Sequence, residues 1–213
     1  PNPAFWDGTK DLSYTFKTAW SEAAIHFLIE VTDNILRPSA DAQEDQNPWL
    51  FDGVELFLDA RPMKERLAAL SAGALQAGIA LRMGETAAEC PVRILGKEPL
   101  PVTIRAVSRK TDEGYLVEGK ISPVEGGPLK LADGAQVNLD VSVNDNDDTP
   151  DQALKLGRRV QMALHGTANN NIDTSRYGRY VLVSEEPQAN LISDGALSQA
   201  PLVPADFRGH ADV

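Results

Sequence analysis

Cysteine is almost missing from this chain: Cys90 is the one thiol among 213 residues. No internal disulfide can form, and no CxxC pair is available for zinc or redox work. Histidine is nearly as scarce. His26, His165 and His210 lie far apart without HExxH or related spacing, and there is no GxSxG, no P-loop and no GxGxxG after a strand. These absences set aside zinc-protease, α/β-hydrolase and nucleotide chemistry. No apolar run is long enough to cross a bilayer as a helix. Basic residues are in deficit, 20 against 31 acidic ones, for a net charge of -11. The resulting long-range field repels a polyanion such as nucleic acid and leaves neutral ligands and cations open as partners.

What is present describes a globular chain. Hydrophobic residues make up 42% and charged ones 24%, enough to bury a proper core. The acidity thickens at 41–45 and again at 145–151. Calcium is a natural counter-ion for such clusters, although the first reads better as a solvated loop. The chain begins at Pro1 without a methionine and reads as an excised or processed segment, so a missing signal peptide says nothing about secretion.

Period-two alternation dominates. Tyr14, Phe16, Thr18 and Trp20 alternate with Ser13, Thr15, Lys17 and Ala19, and Ile25, Phe27, Ile29 and Val31 with His26, Leu28, Glu30 and Thr32, which predicts a hairpin joined at 21–24. Further strands are expected at 102–107, 115–121, 137–143 and 179–183. The turn 111–114, Thr-Asp-Glu-Gly, suits a second hairpin because Asp and Gly accept the required backbone angles. Only 62–70 reads as helix, with Pro62 suited to a first turn. The run 74–83 has helix-favouring residues, but Gly73, Gly78 and Gly84 argue for a strand. An all-β antiparallel sandwich, immunoglobulin-like or jelly-roll, with one short inserted helix follows, and a closed barrel is the alternative. The sandwich is expected over 1–184, with 185–213 as an extended tail or linker marked by Pro187, Pro201 and Pro204.

The block 47–59, Asn-Pro-Trp-Leu-Phe-Asp-Gly-Val-Glu-Leu-Phe-Leu-Asp, carries the chemistry. Trp49 stands on a loop ahead of a strand whose two faces are Val54, Leu56, Leu58 and Glu55, Phe57, Asp59. An indole covers the C–H face of a pyranose while a carboxylate accepts its hydroxyl hydrogens. The opposing reading has Trp49 plugging the end of the sandwich and Glu55 as a strand-edge charge.

Five blocks in one order extend this: Trp20 to Asp33, Trp49 to Asp59, Gly114 to Pro123, Val137 to Asp145, and Tyr177 to Leu182. Together they resemble carbohydrate-binding module family 9 and its wider relatives, over Phe5 to Val183. The resemblance implies an immunoglobulin-like sandwich, bound calcium, and recognition of sugar ends between two aromatic rings. It places Trp49 as one plate, six residues before Glu55, with Asp52 between them as a further sugar contact, or else orienting the loop or binding calcium. The loop that carries a second tryptophan in sugar-binding members here spans His165 to Tyr177 and has none. Tyr177 or His165 is the substitute plate, and Asn169, Asn170 and Asn171 are hydroxyl partners; alternatively this is a surface loop with Tyr177 packed at a strand start. Arg82 lies where sugar binders place an arginine, or else forms an exposed salt bridge. The acidic turn after the 137–143 strand makes Asp145 and Asp147 calcium ligands, with Asp33 a further one. It lacks the glycine and glutamate of an EF-hand.

Three functions follow from these readings. The first is a non-catalytic carbohydrate-binding module for oligo- or polysaccharide, extracellular or periplasmic, accessory to a glycoside-active enzyme and to other domains of the same polypeptide. The second is a structural or docking sandwich without sugar binding. The third is a b-type haem relative, with Met63, Met83, Met162, His26 and His165 as axial candidates but no recognisable ligand pair.

Overall fold

The computed structural model describes residues 5–61, 72–96, 98–148, 158–167 and 169–184. The first hairpin forms as its alternation dictates: β1 (Leu12–Ser21) and β2 (Ala24–Asp33) pair in register from Leu12 opposite Asp33 to Ser21 opposite Ala24. That register puts Tyr14 beside Val31 and Phe16 beside Ile29 on one face. After it come β3 (Gly53–Asp59), β4 (Ala74–Ala80), β5 (Ala88–Glu89), β6 (Val92–Leu95), β7 (Val102–Lys110), β8 (Gly114–Pro123), β9 (Gln136–Asp145), β10 (Val160–Ala163) and β11 (Gly178–Val181). At the second predicted hairpin, β7 to β8, Gly114 turns the chain at φ 150°, an angle that a side chain would strain. Helix among the described residues amounts to isolated 3-10 turns, including Pro48–Leu50 and Thr174–Arg176. The helix expected at 62–70 and the tail expected after 184 lie outside the described residues.

The strands form two antiparallel sheets, ordered β1-β2-β8-β7-β5 and β10-β9-β3-β4-β6, with β11 also paired to β9. The sandwich expected from the alternation is therefore present. Its core joins Ile25, Phe27, Ile29 and Val31 of β2 to Val54, Leu56 and Leu58 of β3 and to the odd-numbered residues 137–143 of β9. Each such side chain, once fully buried, contributes about 1.5–3 kcal/mol. Strand β4 forms despite its Ala, Leu and Gln content, because Leu75, Ala77 and Ile79 bury against this core.

The alternative reading of Glu55 as a strand-edge charge does not hold. β3 lies between β9 and β4 at the centre of its sheet, and all of its residues are buried, on both faces. The outer face is covered by the 3-10 turn Pro48–Leu50 and by the loop that ends in Tyr177. Gly78 of β4 makes the first covering possible, since a Cβ there would collide with the Pro48 ring. The missing side chain thus seats the turn that presents Trp49.

Candidate functional site

The outer face of the six-stranded sheet is polar where it is covered. Antiparallel register places Gln76 opposite Phe57, Leu95 opposite Gln76, and Gln161 opposite Asn144. Over them lies a cavity of about 340 Å³ whose lining includes Trp49, Glu55, Phe57, Gln76, Arg158 and Gln161, with Leu95, Asn170 and Asn171 completing it. Trp49 is half-buried, and the Arg93 guanidinium carbon stands 5.1 Å from its ring centroid, within cation–π range.

Glu55 organises the floor. It is 1% exposed. Its Oε1 accepts from Asn144 Nδ2 at 2.8 Å, Gln161 Nε2 at 2.9 Å and Arg158 Nη1 at 3.3 Å, and its Oε2 accepts a very short bond from Gln76 Nε2. One carboxylate thereby fixes two glutamines and an arginine that line the cavity. The carboxylate that the sequence suggested as a direct hydroxyl acceptor is largely occupied by protein donors. What it fixes outward are the amides and the guanidinium around it.

The asparagine loop is clamped from below by Asp140, fully buried on β9. Asp140 Oδ1 accepts from His165 N at 2.9 Å, while Oδ2 accepts from Gly166 N at 2.8 Å and Asn170 Nδ2 at 2.5 Å. Asn170 is spent on this clamp, its Oδ1 taking the Thr167 N–H. Exposed Asn171, the next residue, is left on the cavity wall with no side-chain bond to a described residue.

Trp49, Glu55 and Asn171 are therefore brought together, whereas three other residues read from the sequence as sugar contacts are not. Tyr177 is buried, its ring 5.8 Å from that of Phe57 and its hydroxyl donating to the Asn170 carbonyl at 2.7 Å, so it supports the loop instead of facing a ligand. Arg82 turns to Asp45, Nη2 to Oδ2 at 2.5 Å, and lies off the cavity. Asp52 is drawn to the end of the sandwich, where its Oδ1 accepts from Asn146 N at 2.8 Å and its Oδ2 from Arg37 N. His165, the other substitute plate, points its Nε2 to the Tyr180 hydroxyl at 2.9 Å and is absent from the lining.

A second constellation forms at the end of the sandwich reached by Asp52. Carboxylate oxygens of Asp33, Asp52 and Asp145 lie within 4.8 Å of one another, as do those of Asp11, Asp145 and Asp147. Asp33 closes β2, Asp145 closes β9, and Asp11 and Asp52 precede β1 and β3, so sheet geometry alone gathers them. Asp33 Oδ2, both Asp145 oxygens and Asp147 Oδ1 are buried without a hydrogen-bond partner. Burial, reinforced by the neighbouring carboxylates, pushes Asp33 up to about 7 and Asp145 to about 8, and raises Asp147 and Asp52 as well. Orphaned, mutually repelling, oxygen-only ligands fit a hard divalent cation such as calcium.

Sequence reasoning missed Phe57, Gln76, Leu95, Arg158 and Gln161 as cavity residues, and Asp11 in the acidic cluster. Phe57 carried a signal, because it shares the strand face of Glu55. Gln76, Leu95 and Gln161 come from three other strands, Arg158 precedes β10 and Asp11 precedes β1, and only long-range pairing brings them to their sites.

Comparison with solved structures places the fold. The chain is similar to a carbohydrate binding module family 9 domain from Caldicellulosiruptor kristjanssonii in complex with cellotriose, at 21% identity and TM-score 0.64 over 89% of this chain and 84% of that one. A glucose complex from the same organism aligns at 22% identity and TM-score 0.64, over 86% and 83%. Comparison with curated proteins finds no match. The family described as carbohydrate family 9 binding domain-like matches residues 1–185, taking in both sheets, the cavity and the acidic cluster. On that match, this chain belongs to the carbohydrate family 9 binding domain-like family.

Proposed function

We propose that the chain is a non-catalytic carbohydrate-binding module that seats a pyranose in the cavity beside Trp49. One observation carries the reading: a half-buried indole lines one cavity with amides and a guanidinium already oriented by Glu55. Such a site offers a stacking face and fixed hydrogen-bond partners without reorganisation on binding. A volume of about 340 Å³ lies at the lower end of small-ligand pockets and suits one or two sugar rings. The relatives solved with glucose and cellotriose support a sugar as the ligand class. Glu55 is the only carboxylate among the described lining residues. Glycoside hydrolysis ordinarily needs a pair flanking the scissile bond, so the cavity binds and does not cleave.

Asp33, Asp52, Asp145, Asp147 and Asp11 would hold calcium. The ion would supply positive charge where strand ends converge and would take no part in chemistry. As a binding domain without chemistry of its own, the module is read as accessory to a glycoside-active enzyme outside the cell, in the extracellular space or the periplasm.

Calorimetric titration of the calcium-loaded protein with glucose, cellotriose and a wider sugar panel tests this, with Trp49→Ala as control. Saturable binding that disappears in the variant supports the module. Silence across the panel from a folded, calcium-loaded protein transfers the assignment to a docking sandwich.

A further inference from the structure

Arg158 lines the cavity and Arg93 packs on the ring of Trp49, which also lines it, and the chemistry of these two arginines narrows the ligand class, given the sugar-binding reading on which this step rests. Arg158 lines the cavity with 28% of its side chain exposed. Its Nη1 bonds Glu55 Oε1 and the Trp49 carbonyl at 3.3 and 3.4 Å, and its Nη2 bonds Gln161 Oε1 at 3.0 Å. A guanidinium has five N–H groups. Nε–H and one Nη2 hydrogen of Arg158 therefore meet no described residue, and spare N–H groups on a planar guanidinium suit a carboxylate. Arg93 shares this face of β6 with Leu95 and touches Trp49, with neither an ion pair nor a hydrogen bond to a described residue.

Arg158 is ion-paired with Glu55, so those two are together neutral, and Arg93 is the cation without a described partner. Glu55 is covered and accepts four side-chain donors. Asp140 is sealed beneath the loop, bonded to Asn170 and to the N–H groups of Val141, His165 and Gly166. Among the described residues at the cavity and against Trp49, the charged heads with N–H groups left for a ligand are those of Arg158 and Arg93, in a chain whose net charge is -11. Exposed carboxylates farther away than the Debye length of about 8 Å are screened at physiological salt. A continuous polyanion would still meet the acidic surface, whereas a single anionic ring would not.

We propose that the cavity prefers a hexuronate, such as a uronic acid unit on an otherwise neutral oligosaccharide. Its ring lies against Trp49, the N–H groups of Arg158 that meet no described residue take its carboxylate, and Arg93 supplies positive potential beside the indole. The test is titration of the calcium-loaded protein with D-glucuronate and D-galacturonate against D-glucose and D-galactose, at low and high salt. The acids should bind about tenfold tighter at low salt, as charge-assisted hydrogen bonds to one carboxylate provide. That ratio should shrink with added salt, fall to near one in Arg158→Gln and survive in part in Arg158→Lys. Neutral sugars binding as well as or better than the acids, or a ratio untouched by Arg158→Gln, overturns the preference while leaving sugar binding intact. Failure of every sugar to bind removes the sugar-binding reading and this preference together. If Arg158→Gln does not fold, the salt dependence of the wild-type ratio decides.

Discussion

Trp49 and Glu55 are six positions apart and do opposite kinds of work. The indole sits half-buried on a 3-10 turn anchored by its neighbour Pro48 against Gly78. Trp49→Ala therefore removes a contact face without opening the core. Sugar affinity should drop at least about tenfold, read by calorimetry, with the circular dichroism spectrum unchanged. Glu55 holds the floor together from the middle of the sheet. Glu55→Ala strands the Arg158 charge and leaves three amides without their acceptor. Loss of one partner from a buried ionic cluster costs about 3–5 kcal/mol, which a urea titration would show as an earlier midpoint. A variant of unchanged stability would refute its organising role.

Strands position the cavity, and one loop completes it. Asp140 ties that loop to β9 through two backbone N–H groups and one amide. Asp140→Ala should speed amide hydrogen exchange at His165 and Gly166 and weaken sugar binding, since Asn171 follows the clamped Asn170. Exchange confined to its native rate would show that the loop holds itself. In the opposite sheet, β8 depends on close approach at Gly119, which faces Phe27 and the Arg105 carbonyl. Gly119→Ala overpacks that contact and should destabilise the sandwich by about 1–3 kcal/mol, measurable in the same urea experiment. The hairpin partners β1 to β2 and β7 to β8 were legible from alternation and turn chemistry alone, because both strands of each lie close in sequence. The centrality of β3 was not legible, because its neighbours β9 and β4 are set by long-range pairing.

Protonation of the entire domain responds to the acidic strand ends. In the metal-free protein Asp33 and Asp145 titrate near 7 and 8, against about 3.9 in an unfolded chain. The native state then holds protons that the unfolded state has released. Stability conferred by this binding is present at low pH and is lost as pH rises from about 4 through 8. Thermal unfolding in chelator should therefore show a melting temperature that falls between pH 5 and pH 8. Calcium at pH 8 should restore it, because binding to the folded state alone stabilises by mass action. A chelated protein equally stable at both pH values, and indifferent to calcium, would remove the metal from this end of the sandwich.

Local chain chemistry settles a good part of this protein. Alternation over two residues chooses strand, the Thr-Asp-Glu-Gly turn closes a hairpin, and the order of five blocks points to the family. Asp33, Asp145 and Asp147 were readable as metal candidates, and the structure gathers their oxygens because strand ends meet at one edge of the sandwich. Trp49, Glu55 and Asn171 were likewise readable, and they surround one cavity. Chain folding alone separates these from Arg82, Asp52 and Tyr177, whose side-chain partners are Asp45, the Arg37 and Asn146 amides, and the Asn170 carbonyl. It also recruits Gln76, Arg158 and Gln161, which are far from Glu55 in sequence and one strand or a hydrogen bond away in space. Side-chain direction and burial depend on which strands pair and in what register. That is a property of contacts distant along the chain, and no local pattern of residues encodes it.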